Sequence, residues 1–258
     1  MLKITVAGCM GRMGKNVMEA VNETEGVRVS GLTEAPGSEH IGREIDGQII
    51  KDNMMEAASG SNVIIDFTLP ISTMENLEAA RVRRKGIVIA TTGLSESDEK
   101  NIKKASEEIP VVYAPNMGIG INLLLKLVEE SAKTLGLDFN IEVIEAHHNK
   151  KKDAPSGTAL ALAEAAAAGA GLDRREDAVY GREGFTGERK RNEIGIHAVR
   201  AGDIVGDHTV LFCSTGERIE LKHQAHSRMV FANGAVRAAK FLSGHDTGLY
   251  NMRDVLGI

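Results

Sequence analysis

The sequence predicts an α/β protein in which a doubly wound parallel sheet is followed by an α+β domain with a mixed, mostly antiparallel sheet. Up to about residue 117, short apolar runs alternate with helical patterns, which is typical of parallel strands joined by crossover helices. After about Gly118, strand-like segments follow one another at 194–199, 208–213 and 218–224, with turns between them. Consecutive strands after alternating units indicate a second domain.

Composition and charge narrow the class of protein. The 258 residues are 42% apolar but only 3% aromatic, with no tryptophan, so one large or two modest domains need aliphatic cores. The net charge of −5, with both signs interspersed, disfavours bulk nucleic-acid binding and leaves room for a local basic pocket. The two cysteines, Cys9 and Cys213, are far apart and predict a reducing compartment without a disulfide framework. No signal peptide or long apolar segment is recognisable, so we expect a soluble, cytoplasmic protein that contacts no membrane.

The first strand, turn and helix carry a glycine motif. Residues 3–7 form a short apolar run, Gly8, Gly11 and Gly14 follow, and a helical pattern continues through Val21. This order is typical of a phosphate-binding βα unit. The spacing differs from the commoner Gly-x-Gly-x-x-Gly, so taken alone a simple glycine-rich turn is an equally good interpretation.

The context of the turn favours a dinucleotide site. A second strand, 27–32, ends beside Glu34, which lies 20 residues after Gly14, close to the offset at which an acid reaches the adenosine ribose. Cys9 has no histidine beside it in sequence, so a packing role is a better interpretation than a nucleophile. Small polar residues at successive strand ends are expected to line the dinucleotide crevice: Thr68, Thr91, Thr92 and Asn116.

The remaining elements follow from the same patterns. Strands are predicted at 63–65, 87–90, 111–114 and 140–144, and helices at 73–85, 95–107, from Gly118 through Leu135, 158–168 and 227–242. Residues 169–191 are rich in glycine and charge and predict a surface loop. The tail predicts short glycine-rich turns.

The stretch EAHHNKKKDAPSGT, residues 145–158, is the candidate anion site. It joins a strand to an alanine-rich helix, where Ser156 and Thr158 are cap-type residues and Gly157 allows close approach to the backbone. The first amides of a helix have no intrahelical partner and lie at the positive end of its dipole, so they stabilise a carboxylate or phosphate. Three lysines add positive charge, and two histidines add groups that exchange protons near neutral pH.

Simpler interpretations of these residues stay open. A lysine triplet is usually a solvated face. Adjacent histidines at a strand end point to opposite sides of the sheet, so at most one faces a given pocket. No cysteine or third histidine lies nearby in sequence, so no metal site is predicted.

With these motifs laid out, the sequence resembles the dihydrodipicolinate reductase family, the 4-hydroxy-tetrahydrodipicolinate reductases of bacterial and archaeal lysine and diaminopimelate biosynthesis. The resemblance covers nearly the whole chain. It rests on VAGCMGRMG, IDFTLP, ATTG, APNMGIGIN, EAHHNKKKDAPSGTA, RAGDIVGDHTV, SRMVFANGAVRAAKFL and GLYNMRDVL.

The resemblance implies a Rossmann dinucleotide-binding domain at 1–117 and 228–258, and a substrate-binding and oligomerisation domain at 118–227 that forms a homotetramer. It implies NADH- or NADPH-dependent reduction of a small cyclic dicarboxylate, 4-hydroxy-tetrahydrodipicolinate, to tetrahydrodipicolinate with loss of water. His147 is then a catalytic proton donor or acceptor and Lys151 a proton donor, while His148, Gly157 and Thr158 bind substrate. The implied dinucleotide contacts are Gly8, Cys9, Met10, Gly11, Arg12, Met13, Gly14, Glu34, Ala90, Thr91, Thr92, Ala114, Pro115, Asn116 and Met117.

The chemistry of the residues agrees with this implication. Adding a hydride to a ring carbon conjugated with an imine builds up electron density that a proton must quench, so an acid is required. Lys151 and His147, four residues apart, are the candidates, and which of the two delivers the proton stays open. For Lys150 and Lys152 the solvated-face interpretation is favoured.

Cofactor choice rests on Glu34. Ala35 and Pro36 follow it, whereas many NADPH-preferring members of the resembled family have a basic residue there. A carboxylate accepts from a ribose 2′-hydroxyl but repels a 2′-phosphate, which favours NADH. Arg12 in the glycine turn can still pair with a phosphate. We therefore expect use of both cofactors with a preference for NADH.

Two other functions are kept as alternatives. One is another Rossmann oxidoreductase, such as an aspartate- or homoserine-pathway dehydrogenase. The presence of the His-His-Lys motif and the absence of a catalytic cysteine in the expected loop argue against it. The other is a non-enzymatic dinucleotide-binding sensor. In a sensor, the proton-donating acid and the lysine are expected to be replaced, yet His147, His148 and Lys151 are all present.

Overall fold

A computed structural model describes residues 1–258 as two compact units, Met1–Ile119 with Arg228–Ile258, and Gly120–Ser227. The strands are β1 (Leu2–Ala7), β2 (Val27–Thr33), β3 (Glu44–Ile45), β4 (Gln48–Lys51), β5 (Val63–Asp66), β6 (Gly86–Ile89), β7 (Pro110–Tyr113), β8 (Asn140–His147), β9 (Ala178–Tyr180), β10 (Ile194–Arg200), β11 (Gly206–Ser214), β12 (Glu217–Ala225) and β13 (Gly248–Tyr250). The helices are α1 (Arg12–Glu23), α2 (Met54–Ala57), α3 (Pro70–Arg83), α4 (Glu96–Ala105), α5 (Ile119–Leu135), α6 (Gly157–Ala170), α7 (Arg174–Asp177), α8 (Met229–Leu242) and α9 (Met252–Leu256). Short 3₁₀ turns occupy Ala58–Gly60 and Gly136–Asp138. None of the helices is long and apolar enough to cross a bilayer.

The first unit is built on an eight-stranded sheet in the order β13-β7-β6-β5-β1-β2-β4-β3. Neighbouring strands are parallel except for the pair β3 and β4. The chain moves outward from β1 through β2 to β4 and returns on the other side of β1 as β5. The predicted doubly wound parallel sheet is therefore confirmed, and its order reverses between β1 and β5, where such sheets bind ligands at the carboxyl ends of their strands.

Helices cover both faces of this sheet. On one face, Val17 of α1 and Ala235 of α8 belong to the same aliphatic core as Ile4 and Val6 of β1. On the other face, α3 and α4 pack against the remaining side chains of β5 and β6, such as Ile64. The alternation of inward positions along each strand divides the apolar residues between the two cores. Because α8 packs against α1 and the sheet, the C-terminal segment is part of the first unit.

The structure departs from the sequence prediction in three places. Residues 44–57 contain β3, β4 and α2, for which no element was predicted. Residues 169–191, predicted as a surface loop, contain α7 and β9, and β9 adds a strand to the second sheet. The tail, predicted as turns, contains β13, which pairs with β7, and α9. These elements are too short to show a hydrophobic period, and their strands depend on partners distant in sequence.

The second unit is a five-stranded mixed sheet in the order β12-β11-β8-β10-β9. Strand β11 is antiparallel to both its neighbours, and β10 is parallel to both of its own. Along β8 every second residue is buried. Ile141 and Val143 share one aliphatic core with residues of α5 and α6. The next two buried positions are Glu145 and His147, so the strand directs the start of the anion motif to its helix-covered face.

The opposite face of β8 carries a charged cluster around Glu142. Its Oε1 accepts from Arg182 and Arg189 at 2.9 and 3.0 Å, and its Oε2 lies 2.7 Å from the Nε2 of His197. Arg182 also pairs with Glu193. Burial alone would raise the pKa of Glu142, but the hydrogen bonds from Arg182, His197 and Arg189 outweigh burial and lower this pKa to about 2.

We expect the Glu142 cluster to make stability depend on pH within a defined window. Because the pKa in the folded chain is about 2 against an ordinary value of 4.5, the stabilisation is complete above pH 4.5 and is lost as the pH falls toward 2. The shift corresponds to at most about 3 kcal/mol. Melting curves should show that Glu142→Gln is less stable than wild type near neutral pH and that the two converge in this window. A constant difference in Tm down to the lowest pH would contradict this account.

Candidate functional site

The glycine turn after β1 is shaped for close approach to the backbone. Gly8 has a φ of +62°, which L side chains rarely adopt, and the Gly11 amide donates to the Gly8 carbonyl at 3.0 Å. A Cβ on Gly14 would lie 2.1 Å from the Gly8 oxygen, so α1 packs against the turn only with glycine there. Helix α1 starts at Arg12, directly after Gly11, with no acidic residue in its first turn. The positive end of its dipole therefore favours an anion such as a phosphate.

Glu34 follows β2 and lies beside this turn. Its Oε1 accepts from the backbone amide of Met10 at 2.7 Å. With Gly8, Gly11 and Thr68, Glu34 lines a cavity of about 460 Å³. These residues follow β1, β2 and β5, so the cavity lies where the strand order reverses. Glycine amides for a pyrophosphate and a carboxylate for ribose hydroxyls are the groups that a dinucleotide needs, so the residues present fit one.

Asp66 is a buried carboxylate at the same edge of the sheet. Its Oδ1 accepts from the amide and the hydroxyl of Thr68 at 2.8 and 2.6 Å, and its Oδ2 accepts from Asn76 at 3.1 Å. The hydroxyl of Thr91, which is 3.4 Å from Oδ1, accepts from Thr73 at 2.7 Å. These bonds hold the segments after β5 and β6 together. In the sequence, Asp66 was only the residue after the predicted strand 63–65, although a lone acid after a fully apolar run was a usable signal.

The other predicted dinucleotide residues differ in exposure. Cys9, Ala90, Thr91, Ala114 and Met117 are buried, whereas Met10, Arg12, Met13, Thr92, Pro115 and Asn116 are partly or fully exposed. Burial, with the negative charge of Glu34, raises the pKa of the Cys9 thiol to about 11. The thiol therefore stays protonated near neutral pH, which supports the packing interpretation over a nucleophile.

In the second unit, Glu145 is the centre of a hydrogen-bond network within the anion motif. The side chain is fully buried, and its two oxygens accept from both terminal nitrogens of Arg200, each at 2.8 Å. Oε1 also accepts from the Ser156 amide at 3.0 Å, and Oε2 lies 2.6 Å from the Nδ1 of His147. Burial alone would raise the pKa of Glu145, but these bonds from Arg200, His147 and Ser156 lower it. The carboxylate therefore stays ionised near neutral pH.

The two histidines of the motif differ in environment. His147 is only 8% exposed, and its ring meets that of His208 edge-on at 5.2 Å between centroids. Burial, together with the nearby His147, lowers the pKa of His208 to about 4, so His208 is neutral at neutral pH. His148 is partly exposed, and its amide donates to the carbonyl of Ile204 at 2.8 Å. The two adjacent rings thus have different surroundings, as predicted for a strand end.

Lys151 and the start of α6 complete the motif. The Nζ of Lys151 lies 2.9 Å from Asp153, and the lysine side chain is 21% exposed, whereas Lys150 and Lys152 are exposed. The hydrogen bond from Lys151 lowers the pKa of Asp153. Ser156 caps α6 by accepting from the Ala159 amide at 3.1 Å. The predicted cap is confirmed, and the helix presents its positive end at Gly157 and Thr158.

Three residues of this network were not singled out by the sequence analysis: Glu145, Arg200 and His208. Glu145 had a local signal, because two positions before His147 places it on the same face of a strand. Arg200 and His208 lie in the RAGDIVGDHTV segment that carries the family resemblance, but no local pattern indicated that they meet Glu145. Sheet register sets them there, with Arg200 opposite His147 and His208 opposite Glu145. No group of three or more His, Cys, Asp or Glu side chains is placed to hold a metal ion.

Comparison with known proteins identifies the family. The family model described as "Dihydrodipicolinate reductase, N-terminus" matches residues 2–117, and the corresponding C-terminus model matches residues 120–256. A 4-hydroxy-tetrahydrodipicolinate reductase of Thiobacillus denitrificans (strain ATCC 25259 / T1) is 47% identical over 264 residues, covering 100% of this chain and 99% of the relative. One from Geotalea daltonii (strain DSM 22248 / JCM 15807 / FRC-32) is 45% identical over 266 residues, covering 100% of both chains.

Solved structures show the same fold. A dipicolinate-bound dihydrodipicolinate reductase from Paenisporosarcina sp. TG-14 superposes with a TM-score of 0.79 at 22% identity, covering 97% of each chain. Sequence matches to both halves, with relatives near half identity over their full length, leave no part of the fold unaccounted for. The chain therefore belongs to the dihydrodipicolinate reductase family.

Proposed function

We propose that this protein reduces 4-hydroxy-tetrahydrodipicolinate to tetrahydrodipicolinate, with loss of water, in lysine and diaminopimelate biosynthesis, using NADH or NADPH. The observation that carries the proposal is the intact motif at 145–158, in which proton-handling side chains and a helix N-terminus lie in one segment. Curated relatives named for this reaction match the chain over its full length.

The proton is assigned to residues of the motif. The nicotinamide cofactor supplies the hydride when bound, and the substrate must then take a proton. The ammonium of Lys151, ion-paired with Asp153, and the imidazole of His147, held by Glu145, are the groups placed to handle it. We assign delivery to Lys151, because its ammonium is held in the motif by Asp153 and can donate a proton, with His147 as the second donor or acceptor.

The substrate's carboxylates are assigned to the start of α6. Gly157 has open space around the position of a Cβ, so a ligand can approach the backbone there. The amides of Gly157 and Thr158 lie at the positive end of the helix and, with His148, form the carboxylate site. Lys151 adds a positive charge to the same loop. A dicarboxylate is thus held by backbone dipoles and charge that need no rearrangement on binding.

Dinucleotide binding is assigned to the first unit and substrate binding to the second. The glycine turn at 8–14, Glu34, Ala90–Thr92 and 114–117 are the proposed dinucleotide contacts. Glu34 favours a ribose 2′-hydroxyl over a 2′-phosphate, because the carboxylate that lines the cavity accepts from a hydroxyl and repels a phosphate. We place the enzyme in the cytoplasm, acting on a small molecule and on neither nucleic acid nor membrane. The presence of both proton-handling groups, His147 and Lys151, argues against a sensor without activity.

A homotetramer is proposed to form through the face of the second sheet opposite α6. Ile144 and Val199 on this face remain 36% and 46% exposed, which is costly for apolar side chains on adjacent strands. The same face of a second copy can cover these side chains, because each copy carries the same apolar residues beside the Glu142 cluster.

Replacing Lys151 by alanine is the direct test of the function. The assay generates the unstable substrate with dihydrodipicolinate synthase and follows oxidation of NADH or NADPH by absorbance. Wild type should turn over, and Lys151→Ala should lose about a hundredfold or more in kcat, the scale for a lost general acid. The exposed neighbour provides the matched control, and Lys150→Ala should stay within about threefold of wild type. Absence of wild-type turnover with either cofactor would refute the function, and an undiminished Lys151→Ala would move the proton to His147 or water.

Cofactor preference should respond to Glu34. Glu34→Gln keeps the shape but removes the charge, so KM for NADPH should fall by about three- to tenfold, a modest gain because the site is open to solvent. Steady-state kinetics with both cofactors measures the effect. Arg12→Ala is the complementary variant and should raise KM for NADPH while leaving that for NADH unchanged. A wild-type KM for NADPH far below that for NADH, and insensitive to Glu34→Gln, would contradict the NADH preference.

The oligomer should depend on the open sheet face. Light scattering is expected to give wild type a mass near four copies of the 27.6 kDa chain, and Ile144→Asp should shift the mass toward smaller species. Val82→Asp, on an exposed residue of α3, is the control and should leave the mass unchanged. A monomeric wild type, or a tetramer that survives Ile144→Asp, would rule out this face as the interface.

A further inference from the structure

Glu145 has a role that proton transfer and carboxylate binding do not themselves require. It contacts no solvent and lies behind the groups assigned to the reaction, yet both ends of the motif attach to it. We propose that Glu145, held by Arg200, is the positioning residue of the active site: it sets the tautomer and direction of the His147 ring and fixes the start of α6. The inference deepens the proposed function and rests on it.

Glu145 accepts four hydrogen bonds, two on each carboxylate oxygen. Oε1 accepts from Arg200 and the Ser156 amide, and Oε2 accepts from Arg200 and His147. An ionised carboxylate has about four acceptor positions, so none is left over. The group therefore cannot rotate to another partner without breaking two bonds. Arg200 binds Glu145 through both terminal nitrogens, and such bidentate pairs hold a carboxylate in one plane.

The bond to His147 determines which ring nitrogen carries the proton. An ionised carboxylate only accepts, so the Nδ1 of His147 must donate, and a neutral ring then has its lone pair on Nε2. A Cβ on Gly206 would stand 3.2 Å from that Nε2, so glycine keeps the side of the ring opposite Glu145 uncrowded. His208, which is neutral, meets the ring at its edge. His147 thus presents Nε2, the nitrogen directed away from the buried network, for proton exchange.

The same carboxylate also fixes the anion-binding end of the motif. The Ser156 amide, 11 residues after Glu145, donates to Oε1, and the Ser156 hydroxyl caps α6. Arg200 extends this connection by donating to the backbone carbonyl of Asp153 at 2.7 Å. The loop that carries Lys151 therefore begins and ends on the pair formed by Glu145 and Arg200.

A purely structural ion pair is the competing explanation. Buried pairs often contribute little net stability, and apolar replacements can be tolerated. A structural role would show in Tm alone. A positioning role must also change the state of the His147 ring.

Glu145→Gln tests the inference through two readouts. The first is the ring ¹⁵N chemical shifts of His147 near neutral pH, without substrate. Wild type should show the Nδ1–H tautomer, and the variant should gain the Nε2–H tautomer, because a glutamine amide can donate to Nδ1. The second is steady-state kinetics, where kcat should fall by about 10- to 100-fold, the scale for losing the partner that orients a histidine. KM for the dinucleotide, which binds the other unit, should stay unchanged.

Glu142→Gln is the matched control. It removes a half-buried carboxylate with arginine and histidine partners from the same strand, but on the opposite face. The control should lower Tm while leaving the His147 tautomer and kcat unchanged. An equal loss of kcat in the control, or an unchanged tautomer and kcat in Glu145→Gln, would overturn the inference.

The ¹⁵N measurement needs no turnover, which separates the two proposals. A wild type without reductase activity refutes the proposed function, and the tautomer still decides the role of Glu145. If Glu145→Gln does not fold, wild type alone suffices, since an Nε2–H tautomer of its His147 would overturn the inference.

Discussion

The buried ion pair of Glu145 and Arg200 is the interaction on which the arrangement of the second unit depends. Taking the Glu145 charge fully out of water costs several kcal/mol, which the guanidinium of Arg200 and four hydrogen bonds offset. Here the pair joins strand β8, strand β10, the loop after β8 and the first turn of α6. The pair therefore ties the loop after β8 and the first turn of α6 to the two adjacent strands.

In the first unit, as in the second, the proposed ligand is an anion, but the site is built differently. Its proposed anion site is made from backbone amides at a glycine turn and a helix terminus, and the carboxylates Glu34 and Asp66 accept hydrogen bonds from neighbouring segments. Both sites avoid relying on a lysine or arginine alone to hold an anion. Backbone dipoles held by secondary structure have no side-chain entropy to lose, so they stabilise charge with little reorganisation.

Strand β8 shows how one sequence pattern serves two environments. Glu142 and Glu145 are three residues apart, so they point to opposite faces, and each is paired with arginine and histidine. Around Glu142 the partners come from β10 and from the largely exposed segment 181–193 that precedes it. Around Glu145 the carboxylate itself is fully buried, while the Arg200 side chain remains 20% exposed. The same residue type thus supports stability on one face and organises the candidate site on the other.

Much of the fold could be read from the sequence. The alternation of apolar runs and helical patterns determined the doubly wound sheet, because both periods are local consequences of side-chain direction. The glycine turn, the cap at Ser156 and the motif at 145–158 were also evident, since each depends on residues close together in the chain. The short elements at 44–57, 174–180 and 248–256 were missed because they exist only through pairing and packing with distant segments.

The sequence by itself determined the fold class, the glycine turn and which segment carries the proton-handling residues, because these follow from local periodicity and residue chemistry. Only the tertiary structure decided that Arg200 and His208 meet Glu145 and His147. Sheet register brings residues 55 or more positions apart into contact, and register is set by the packing of whole strands rather than by any local pattern.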